Sequence, residues 1–421
     1  MRYSFVLLLL VCAHAFLQIP EKIFNPKIKS VQLFPAGNQL AYPIIRLGSG
    51  DQLELHFDDL DPSVKNYSYT FQLCNADWTP GVLSQFDFIQ GFSQVRITTY
   101  RPSSVALTRY IHYQALLPDR NCVPTRSGNY ILKVFLNSDT SKLIFTRKML
   151  VIQENSTIAA VVQQPYGATY KSSQKIQFKV NINEKLNILN AQQQVKVAIL
   201  QNNRWDNAIT GIKPTFFSRN LLEYNTEADA VFPAGKEWRW LDLRSFRLQS
   251  DRVANAKYSN TGTEVFVKPD VDRSTQRFNF YRDENGRYYL QPTESLNPLW
   301  QSDYATVHFT FVPQNNNPYP GQEIFLFGQL TDYNLDDTAK MKYNAAEGVY
   351  ETTLFLKQGY YDYMYVTIDR DDPKRMASFV DTEGDLWETE NEYTILVYYR
   401  PLAGRVDELI AITRINSRIT P

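Results

Sequence analysis

The chain contains few of the residues that most metal sites and catalytic centres require. Its 421 residues include three cysteines and four histidines, too few for a cysteine-rich metal scaffold or a dense disulfide framework. Basic and acidic residues balance at 44 each, so no net charge draws the chain toward nucleic acid. No nucleophile-elbow, zinc-protease, phosphate-loop or dinucleotide motif occurs. We therefore expect a protein that is not an enzyme, with no catalytic residue, cofactor, metal ion or small-molecule substrate.

Long amphipathic helices are also missing, and alternation with a period of two takes their place. Apolar and polar residues alternate at 53–57, 176–182 and 307–311, the pattern of antiparallel strands with one packed face. Aromatic residues make up 14% of the chain, which favours strands because rings pack well on a pleated surface. The dipeptide Asn285-Gly286 predicts a type I′ hairpin turn. Many short strands separated by such turns predict an all-β fold of several immunoglobulin-like sandwiches.

The first residues are typical of a secretory signal peptide. The apolar run FVLLLLVC (5–12) follows Arg2, and AHA (13–15) is a small-x-small cleavage site. The run is too short to cross a membrane as a helix, and no later stretch reaches about 18 apolar residues. The alternatives are a buried N-terminal strand or a membrane anchor. We expect residues 1–15 to be removed and the mature chain to be exported.

Export changes what the remaining cysteines indicate. Removal of Cys12 leaves Cys74 and Cys122, an even number in an oxidising compartment. We therefore predict a disulfide between them, with two unpaired buried thiols as the alternative. Such a bond closes a long loop and stabilises the fold by about 4 kcal/mol in the loop-entropy account.

Composition and strand spacing divide the mature chain into three units. Residues 24–154 are enough for one immunoglobulin-like sandwich, and residues 154–157 are typical of a linker. Residues 158–298 form a middle β-rich unit, and residues 302–415 form a C-terminal sandwich. No long glycine- or serine-rich tether separates these units, so we expect them to move as one body.

The three histidines of the mature chain do not suggest a metal site. His56 and His308 alternate out of apolar strand faces, so we expect both at the surface. His112 lies in a YIHY run and is predicted to be a packed sheet histidine.

An acidic stretch near the C-terminus has part of the spacing of a calcium loop. Four carboxylates fall at its positions 1, 3, 5 and 12: Asp381, Glu383, Asp385 and Glu392. Position 6, where the sharp bend needs glycine, is Leu386. We interpret the stretch as an acidic loop between strands, with a cation site as the alternative.

Several tryptophans have two interpretations. Each either stacks on a sugar or anchors a core, and the core role is the commoner one. The residues are Trp78, Trp205, Trp238, Trp240 and Trp387. A hydrolase with paired carboxylates is a further alternative, because the spacing of such a pair is set in three dimensions.

An ordered set of segments resembles the plug protein family of the bacterial type IX secretion system. The likeness runs from about residue 24 to 415, and its specificity lies in the order of the segments. They are CNADW (74–78), IHY (111–113), SGNYILKV (127–134), FPAGKEWRWLDLR (232–244), QSDR (249–252), DENGRYY (283–289) and SDYATVHF (302–309).

The C-terminal part also looks like an early-set, glycogen-binding-type immunoglobulin domain. The segments that carry this likeness are GQEIFLFGQLTDY (321–333), MKY (341–343), YETTL (350–354) and GYYDYMY (359–365). Carbohydrate-binding relatives often have a tryptophan where this chain has Tyr333. The departure leaves the expected fold in place and weakens the case for sugar binding.

The plug resemblance implies a function without chemistry. Such a protein closes the periplasmic opening of a large outer-membrane translocon barrel when no substrate is engaged. It lies at the membrane without inserting and binds no nucleic acid. We predict that the contact uses Trp78, Phe86, Phe88 and Phe92, in and beside a long aromatic connection, with a packed inter-strand loop as the alternative. An exported carbohydrate-binding accessory protein is the alternative function.

Overall fold

A computed structural model describes residues 21–186 and 188–418 of the chain. Within these ranges the chain forms 30 strands and two α-helices of four residues each. The protein is therefore predominantly β with little helix, as the alternation predicts. The predicted signal peptide at residues 1–15 lies outside the described residues.

Two sheets and a short strand pair form the first sandwich. Its larger sheets run in the orders β1-β3-β8-β7 and β2-β11-β10-β4-β6, and β5 pairs with β9. The strands are β1 (Ile28–Pro35), β2 (Ile44–Arg46), β3 (Leu53–Asp59), β4 (Tyr67–Cys74), β5 (Ile89–Gly91), β6 (Val95–Ile97), β7 (Thr99–Pro102), β8 (Ile111–Leu117), β9 (Cys122–Pro124), β10 (Gly128–Leu136) and β11 (Leu143–Ile152). Leu53, Leu55 and Phe57 are fully buried between the sheets, which confirms the predicted alternation. The ring of Phe57 contacts Phe145 of the facing sheet edge-on at 5.1 Å.

The next segment supplies most of a second sandwich. Its elements are β12 (Ser156–Gln163), β13 (Ser173–Ile182), α1 (Ala191–Gln194), β14 (Val195–Gln201), β15 (Ile209–Thr210), β16 (Phe216–Ser218), β17 (Leu221–Tyr224) and β18 (Val231–Pro233). One sheet has the order β12-β13-β17-β16, and β18 also pairs with β13. The predicted strand at 176–182 lies within β13, where Ile176, Phe178, Val180 and Ile182 are buried.

A third sandwich follows. Its elements are β19 (Arg239–Asp242), β20 (Val253–Ser259), β21 (Gly262–Val267), β22 (Asp270–Val271), β23 (Tyr288–Tyr289), α2 (Pro298–Gln301), β24 (Tyr304–Val312), β25 (Gln322–Phe327), β26 (Lys342–Asn344), β27 (Val349–Lys357) and β28 (Tyr360–Asp369). The sheets are β20-β21-β24-β27-β26, with β22 on β24, and β19-β28-β23, with β25 on β28. Asn285 and Gly286 both have positive φ, 55° and 79°, as the predicted turn requires. Only the C-terminal side of that turn continues as a strand, β23, which pairs with β28.

The end of the chain returns to the second sandwich. Strands β29 (Glu392–Tyr399) and β30 (Glu408–Asn416) complete its other sheet, in the order β15-β14-β29-β30. Sheet pairing therefore crosses the predicted boundaries, because β29 of the 302–415 unit pairs with β14 of the 158–298 unit, and β30 pairs with β29. The reason is non-local: β29 buries Tyr393, Ile395 and Val397 in one core with the apolar face of β13 in the opposite sheet.

The first and second sandwiches stack on each other through apolar faces. Ile131 and Leu150 of the first sandwich lie in one buried cluster with Leu200, Leu396 and Tyr398 of the second. The β2-β11-β10-β4-β6 sheet is thus covered on both faces, and four sheets lie in successive layers.

The predicted Cys74–Cys122 disulfide is not present, and both cysteines are buried free thiols. Alternation along β4 explains the difference. Leu73 points into the first sandwich, so Cys74 points out of the other face, into the cluster shared with the second sandwich. Cys122 lies inside the first sandwich, on the far side of that sheet. Burial raises the pKa of both thiols to about 12, so neither is a reactive thiolate at neutral pH.

Candidate partner-binding surface and the joints that support it

The segment from Gly81 to Phe92, which we call the aromatic loop, presents apolar side chains to solvent. Phe86 is 87% exposed and Phe92 is 66% exposed. Single exposed apolar residues are ordinary, and phenylalanine is enriched at protein–protein interfaces relative to the rest of the surface. The aromatic loop thus retains two of the predicted contact residues at the surface.

Two other predicted contact residues are buried and cannot touch a partner. Trp78 and Phe88 are each 2% exposed. Phe88 packs in the core of the first sandwich beside Tyr130. Ile89, the next residue, lies in the same core and begins β5, which pairs with β9. These contacts fix the aromatic loop to the sandwich and leave its tip exposed.

The turn before the aromatic loop is anchored by the second sandwich. Trp78 has φ 64° and meets the ring of Trp205 edge-on at 4.9 Å. The carboxylate of Asp407 accepts a hydrogen bond from the backbone N–H of Ala76 at 2.9 Å. It also binds Arg400 at 2.7 Å. The β29–β30 connection therefore holds the base of the aromatic loop in place.

A buried network of hydrogen bonds joins the first and third sandwiches. His112 Nδ1 lies 2.7 Å from Asp58 Oδ1, and Lys357 Nζ of the third sandwich donates to Asp58 Oδ2 at 2.6 Å. The hydroxyl of Tyr304 donates to the same Oδ2 at 2.6 Å. Lys357 lowers the pKa of Asp58 by its charge, although burial alone raises it. Because Asp58 and Lys357 are at most 1% exposed, each needs the other as its counter-ion.

The prediction that His56 lies at the surface is wrong, because His56 belongs to the same buried hydrogen-bond network. It lies on the outward face of β3, as the alternation indicates, but it is only 5% exposed. Its ring is 3.2 Å from His112 and 3.0 Å from Glu54. Burial lowers the pKa of His56 to about 4. The prediction of a packed sheet histidine is confirmed for His112, and His308 is partly exposed.

The carboxylates that resemble a calcium loop have separate partners. Glu383 is fully buried and pairs with the guanidinium of Arg239 at 3.0 Å. Asp385 accepts from the backbone N–H of Gly235, and Glu392 accepts from Asn203. Among the described residues, no group of three or more histidine, cysteine, aspartate or glutamate side chains is placed to hold a metal ion. The stretch is therefore a loop that connects the third sandwich to the second and is fixed by these contacts.

A second group of buried carboxylates lies at the joint between the second and third sandwiches. Glu237, Asp283 and Asp362 are each less than 8% exposed. Asp283 Oδ1 accepts from the backbone N–H of Asn285, and Asp362 binds that of Gly286 at 3.3 Å. Burial raises the pKa of Glu237 to about 8, and burial together with Asp283 raises that of Asp362. Burial in this joint therefore favours the protonated, uncharged form of the Glu237 and Asp362 carboxyl groups.

We expect this joint to weaken as the pH rises. Glu237 has a higher pKa in the folded chain than in the unfolded chain. Its contribution to the free energy of unfolding is therefore fully present below about pH 4.5 and is lost as the pH rises through about 8. At pH 9, Glu237→Gln, which cannot ionise, should raise the melting temperature relative to wild type and should raise the free energy of unfolding by about 2 kcal/mol. At pH 5 both increases should be much smaller. Melting curves at both pH values check this. The exposed control Glu347→Gln should show no pH-dependent difference, and equal effects of Glu237→Gln at pH 5 and 9 would contradict the expectation.

Tyr333 does not form a sugar platform. Its hydroxyl donates to the carbonyl oxygen of Gly286 at 3.0 Å, and the guanidinium of Arg204 lies 5.7 Å from its ring. Trp238 is 3% exposed, in the core of the third sandwich. Both side chains therefore act in packing.

No helix within residues 21–186 and 188–418 is long and apolar enough to cross a membrane.

Comparison with known proteins places these features in a family context. Residues 28–153 match a family model described as the type 9 secretion system plug protein 1st domain. The matched range begins at the start of β1 and ends one residue after β11, so it coincides with the first sandwich. No curated protein matches the chain.

A solved structure matches nearly the whole chain. The crystal structure of a hypothetical protein from Parabacteroides merdae ATCC 43184, at 2.30 Å resolution, has a TM-score of 0.90 and 31% sequence identity. The match covers 95% of this chain and 100% of that chain. The likeness therefore spans all three sandwiches.

Proposed function

The chain belongs to the type 9 secretion system plug protein family, and from this premise we propose that it closes the periplasmic opening of the outer-membrane translocon barrel when no substrate is engaged. Membership gives the chain a role in type IX secretion, in a family of structural components rather than a known family of enzymes. The periplasmic location and the immunoglobulin-like and early-set subtypes are parts of the proposal.

The family membership carries this proposal, and the joints support it. A plug that reorders its domains on binding loses free energy to that ordering. Here buried contacts join the first sandwich to the second, through Trp78 and Asp407, and to the third, through Asp58 and Lys357. A body held in this way presents one fixed shape to a pore. No covalent step is needed, because closure depends on shape and charge complementarity.

We propose that the aromatic loop contacts the barrel. Phe86 and Phe92 are the exposed aromatic side chains on it, and the packing of Phe88 and Ile89 fixes their position. Rigid aromatic side chains lose little conformational entropy when buried at an interface, so they are common binding hot spots.

Deletion of the gene should make cells more sensitive to a large antibiotic that the outer membrane normally excludes. The reason is that an idle translocon without its plug conducts such molecules. The increase should disappear when the translocon gene is also deleted. Unchanged sensitivity, or sensitivity that persists without the translocon, would contradict the sealing function.

A variant tests the contact surface separately. Phe86→Asp with Phe92→Asp should weaken co-purification with the outer-membrane barrel by about 30-fold, the effect of losing about 2 kcal/mol at a hot spot. Leu248→Asp is the matched control, because Leu248 is 76% exposed on the third sandwich. If both variants co-purify equally well, the barrel binds elsewhere, although the sealing function can still hold.

A further inference from the structure

Two loops from different sandwiches meet and expose aliphatic side chains to solvent. The loop at 103–110 connects β7 to β8 in the first sandwich, and in it Val105 is 87% exposed and Leu107 is 52% exposed. Leu296, which is 96% exposed, lies in the segment just before α2 of the third sandwich. We call these three residues, together with Trp300 of α2, the apolar tip.

Hydrogen bonds hold the two loops together. The backbone N–H of Ser104 donates to the carbonyl oxygen of Trp300 at 2.9 Å. The Asp303 carboxylate accepts from the backbone N–H groups of Leu107 and of the next residue, at 2.9 and 3.0 Å. Because α2 is a single turn and a turn rises only about 5 Å, Leu296 is close to Trp300. The exposed side chains of the two loops therefore form one surface.

The backbone at Val105 has a conformation that a valine disfavours. Its φ is 71°, and a β-branched residue at positive φ is a genuine outlier. Its side chain is also almost fully exposed, so packing in a core does not compensate for the strain. Strained residues cluster at binding sites, where the surrounding structure holds them in place. Val105 therefore indicates that a partner covers the apolar tip.

The side chains of the apolar tip match a phospholipid surface better than a protein surface. Valine and leucine are under-represented among the hot spots of protein–protein interfaces. Leucine and tryptophan beside basic residues are instead typical of segments that lie in the membrane interface. An indole suits that position because its ring is apolar and its N–H can reach a polar partner.

Two arginines flank the apolar tip. The guanidinium of Arg101 lies 4.9 Å from the ring centre of Trp300, and Arg109 is exposed in the same loop. Arginine binds phosphate groups through two parallel hydrogen bonds. The neighbouring carboxylates are engaged within the chain, Asp303 by the loop backbone and Glu294 by a serine hydroxyl. The arginine charges are therefore placed to meet the phosphates of lipid headgroups.

We propose that the apolar tip binds the surface of a phospholipid bilayer. Val105, Leu107 and Leu296 enter the boundary between headgroups and acyl chains without spanning the membrane. Arg101 and Arg109 bind the lipid phosphates above this boundary. Burial of the exposed aliphatic side chains in lipid supplies most of the binding free energy.

The position of the apolar tip agrees with the proposed plug function, although the lipid proposal does not rest on that function. Strand β8 follows the 103–110 loop, and beyond its far end the carbonyl oxygen of Asn121 accepts from the backbone N–H of Phe92 in the aromatic loop. The seven residues of β8 span roughly 20 Å. The apolar tip and the aromatic loop therefore lie at opposite ends of the first sandwich. A sandwich that lies along the membrane places the aromatic loop on the barrel and the apolar tip on adjacent lipid.

Sedimentation with phospholipid vesicles tests the proposal. The chain is used without residues 1–15, because the apolar run at 5–12 would bind lipid by itself. Vesicles of phosphatidylethanolamine and phosphatidylglycerol should bind this chain saturably, and brominated lipid should quench its tryptophan fluorescence. Trp300→Phe should lose most of the quenching. The absence of saturable binding, or undiminished quenching in Trp300→Phe, overturns the proposal.

A pair of substitutions locates the lipid contact. Leu107→Ser with Leu296→Ser should weaken vesicle binding by about tenfold or more, because two leucine side chains no longer enter lipid. Leu248→Ser is the matched control, since Leu248 is 76% exposed on the third sandwich, and it should bind as wild type does. Phe86→Asp with Phe92→Asp should also bind vesicles as wild type does, so failure of the barrel contact is distinguishable from failure of the lipid contact. If the leucine pair instead loses only co-purification with the barrel, the apolar tip contacts protein and the proposal is overturned.

Val105→Asn separates the lipid contact from the stability of the loop. Asparagine adopts positive φ more readily than valine does, so the melting temperature should not fall. Vesicle binding should nevertheless weaken by about threefold or more, because an aliphatic side chain is lost from the lipid contact. A variant that is as stable as wild type and binds vesicles equally well overturns the proposal.

Discussion

A chain that ends at residue 391 is expected to lose the second sandwich, although residues 156–233 remain intact. The truncation removes β29 and β30. Strand β14 then loses an antiparallel partner along seven registered residue pairs, from Val195↔Tyr399 to Gln201↔Tyr393. The core of the second sandwich loses Tyr393, Ile395 and Val397, all fully buried. Each such side chain contributes about 1.5–3 kcal/mol, and the sum is comparable with the 5–15 kcal/mol that separates a typical folded domain from its unfolded state.

Hydrogen exchange with limited proteolysis measures this directly. Peptides from 156–233 should exchange and be cut rapidly in the truncated chain and remain protected in a control that ends at residue 418, which keeps both strands. The first sandwich should also be destabilised, since Leu396, Tyr398 and Leu409 cover its outer face. Equal protection of 156–233 in the two chains would show that these residues fold without the C-terminal strands.

Local patterns in the sequence predict the strands and their buried faces well. The alternation at 53–57, 176–182 and 307–311 corresponds to β3, β13 and β24, and the positive φ of Asn285 and Gly286 follows from turn chemistry. These features depend on a few neighbouring residues. They can therefore be predicted without knowledge of the tertiary fold.

Pairing between distant segments could not be predicted in this way. Strand β29 is apolar or aromatic at every position except Glu392 and Thr394, and nothing in its sequence distinguishes a place beside β28 from one beside β14. The His56 prediction failed for a related reason. Alternation indicates which face of a strand a side chain occupies, but it does not indicate that Phe34, Glu54 and His112 bury His56 on that face.

The cysteines and the aromatic loop show where more could have been inferred. Tyr69, Phe71 and Leu73 alternate toward the core, so the same count places Cys74 on the other face, where Cys122 cannot reach it. For the aromatic loop, the sequence located an exposed segment but could not tell Phe86 from Phe88. That distinction depends on the short β5–β9 pairing, which turns Phe88 and Ile89 inward.

Lys357→Met is expected to destabilise the chain by about 3–5 kcal/mol. The substitution leaves the Asp58 carboxylate buried without its cation, and an uncompensated buried charge is far more costly than the loss of a surface pair. Tyr304 and His112 still contact Asp58, but a neutral hydroxyl cannot replace the ammonium at 2.6 Å. Urea unfolding, followed by fluorescence, measures the loss. Lys27→Met is the matched control, because the Lys27–Asp61 pair at 3.6 Å is exposed and worth at most about 1 kcal/mol.

The double variant Lys357→Met with Asp58→Asn separates the charge from the packing. Removing both charges leaves no unpaired ion at the joint, so the double variant should be more stable than Lys357→Met alone, with a coupling of about 1–3 kcal/mol. A double variant as unstable as the sum of its parts would mean that Lys357 acts through contacts other than Asp58, such as those of its ammonium with the rings of Tyr110 and Tyr304. If the charge pair does hold the joint, Lys357→Met should also increase antibiotic sensitivity in cells at a normal protein level. The aromatic loop is intact in this variant, so that result would assign sealing to the fixed arrangement of the sandwiches as well as to the contact surface.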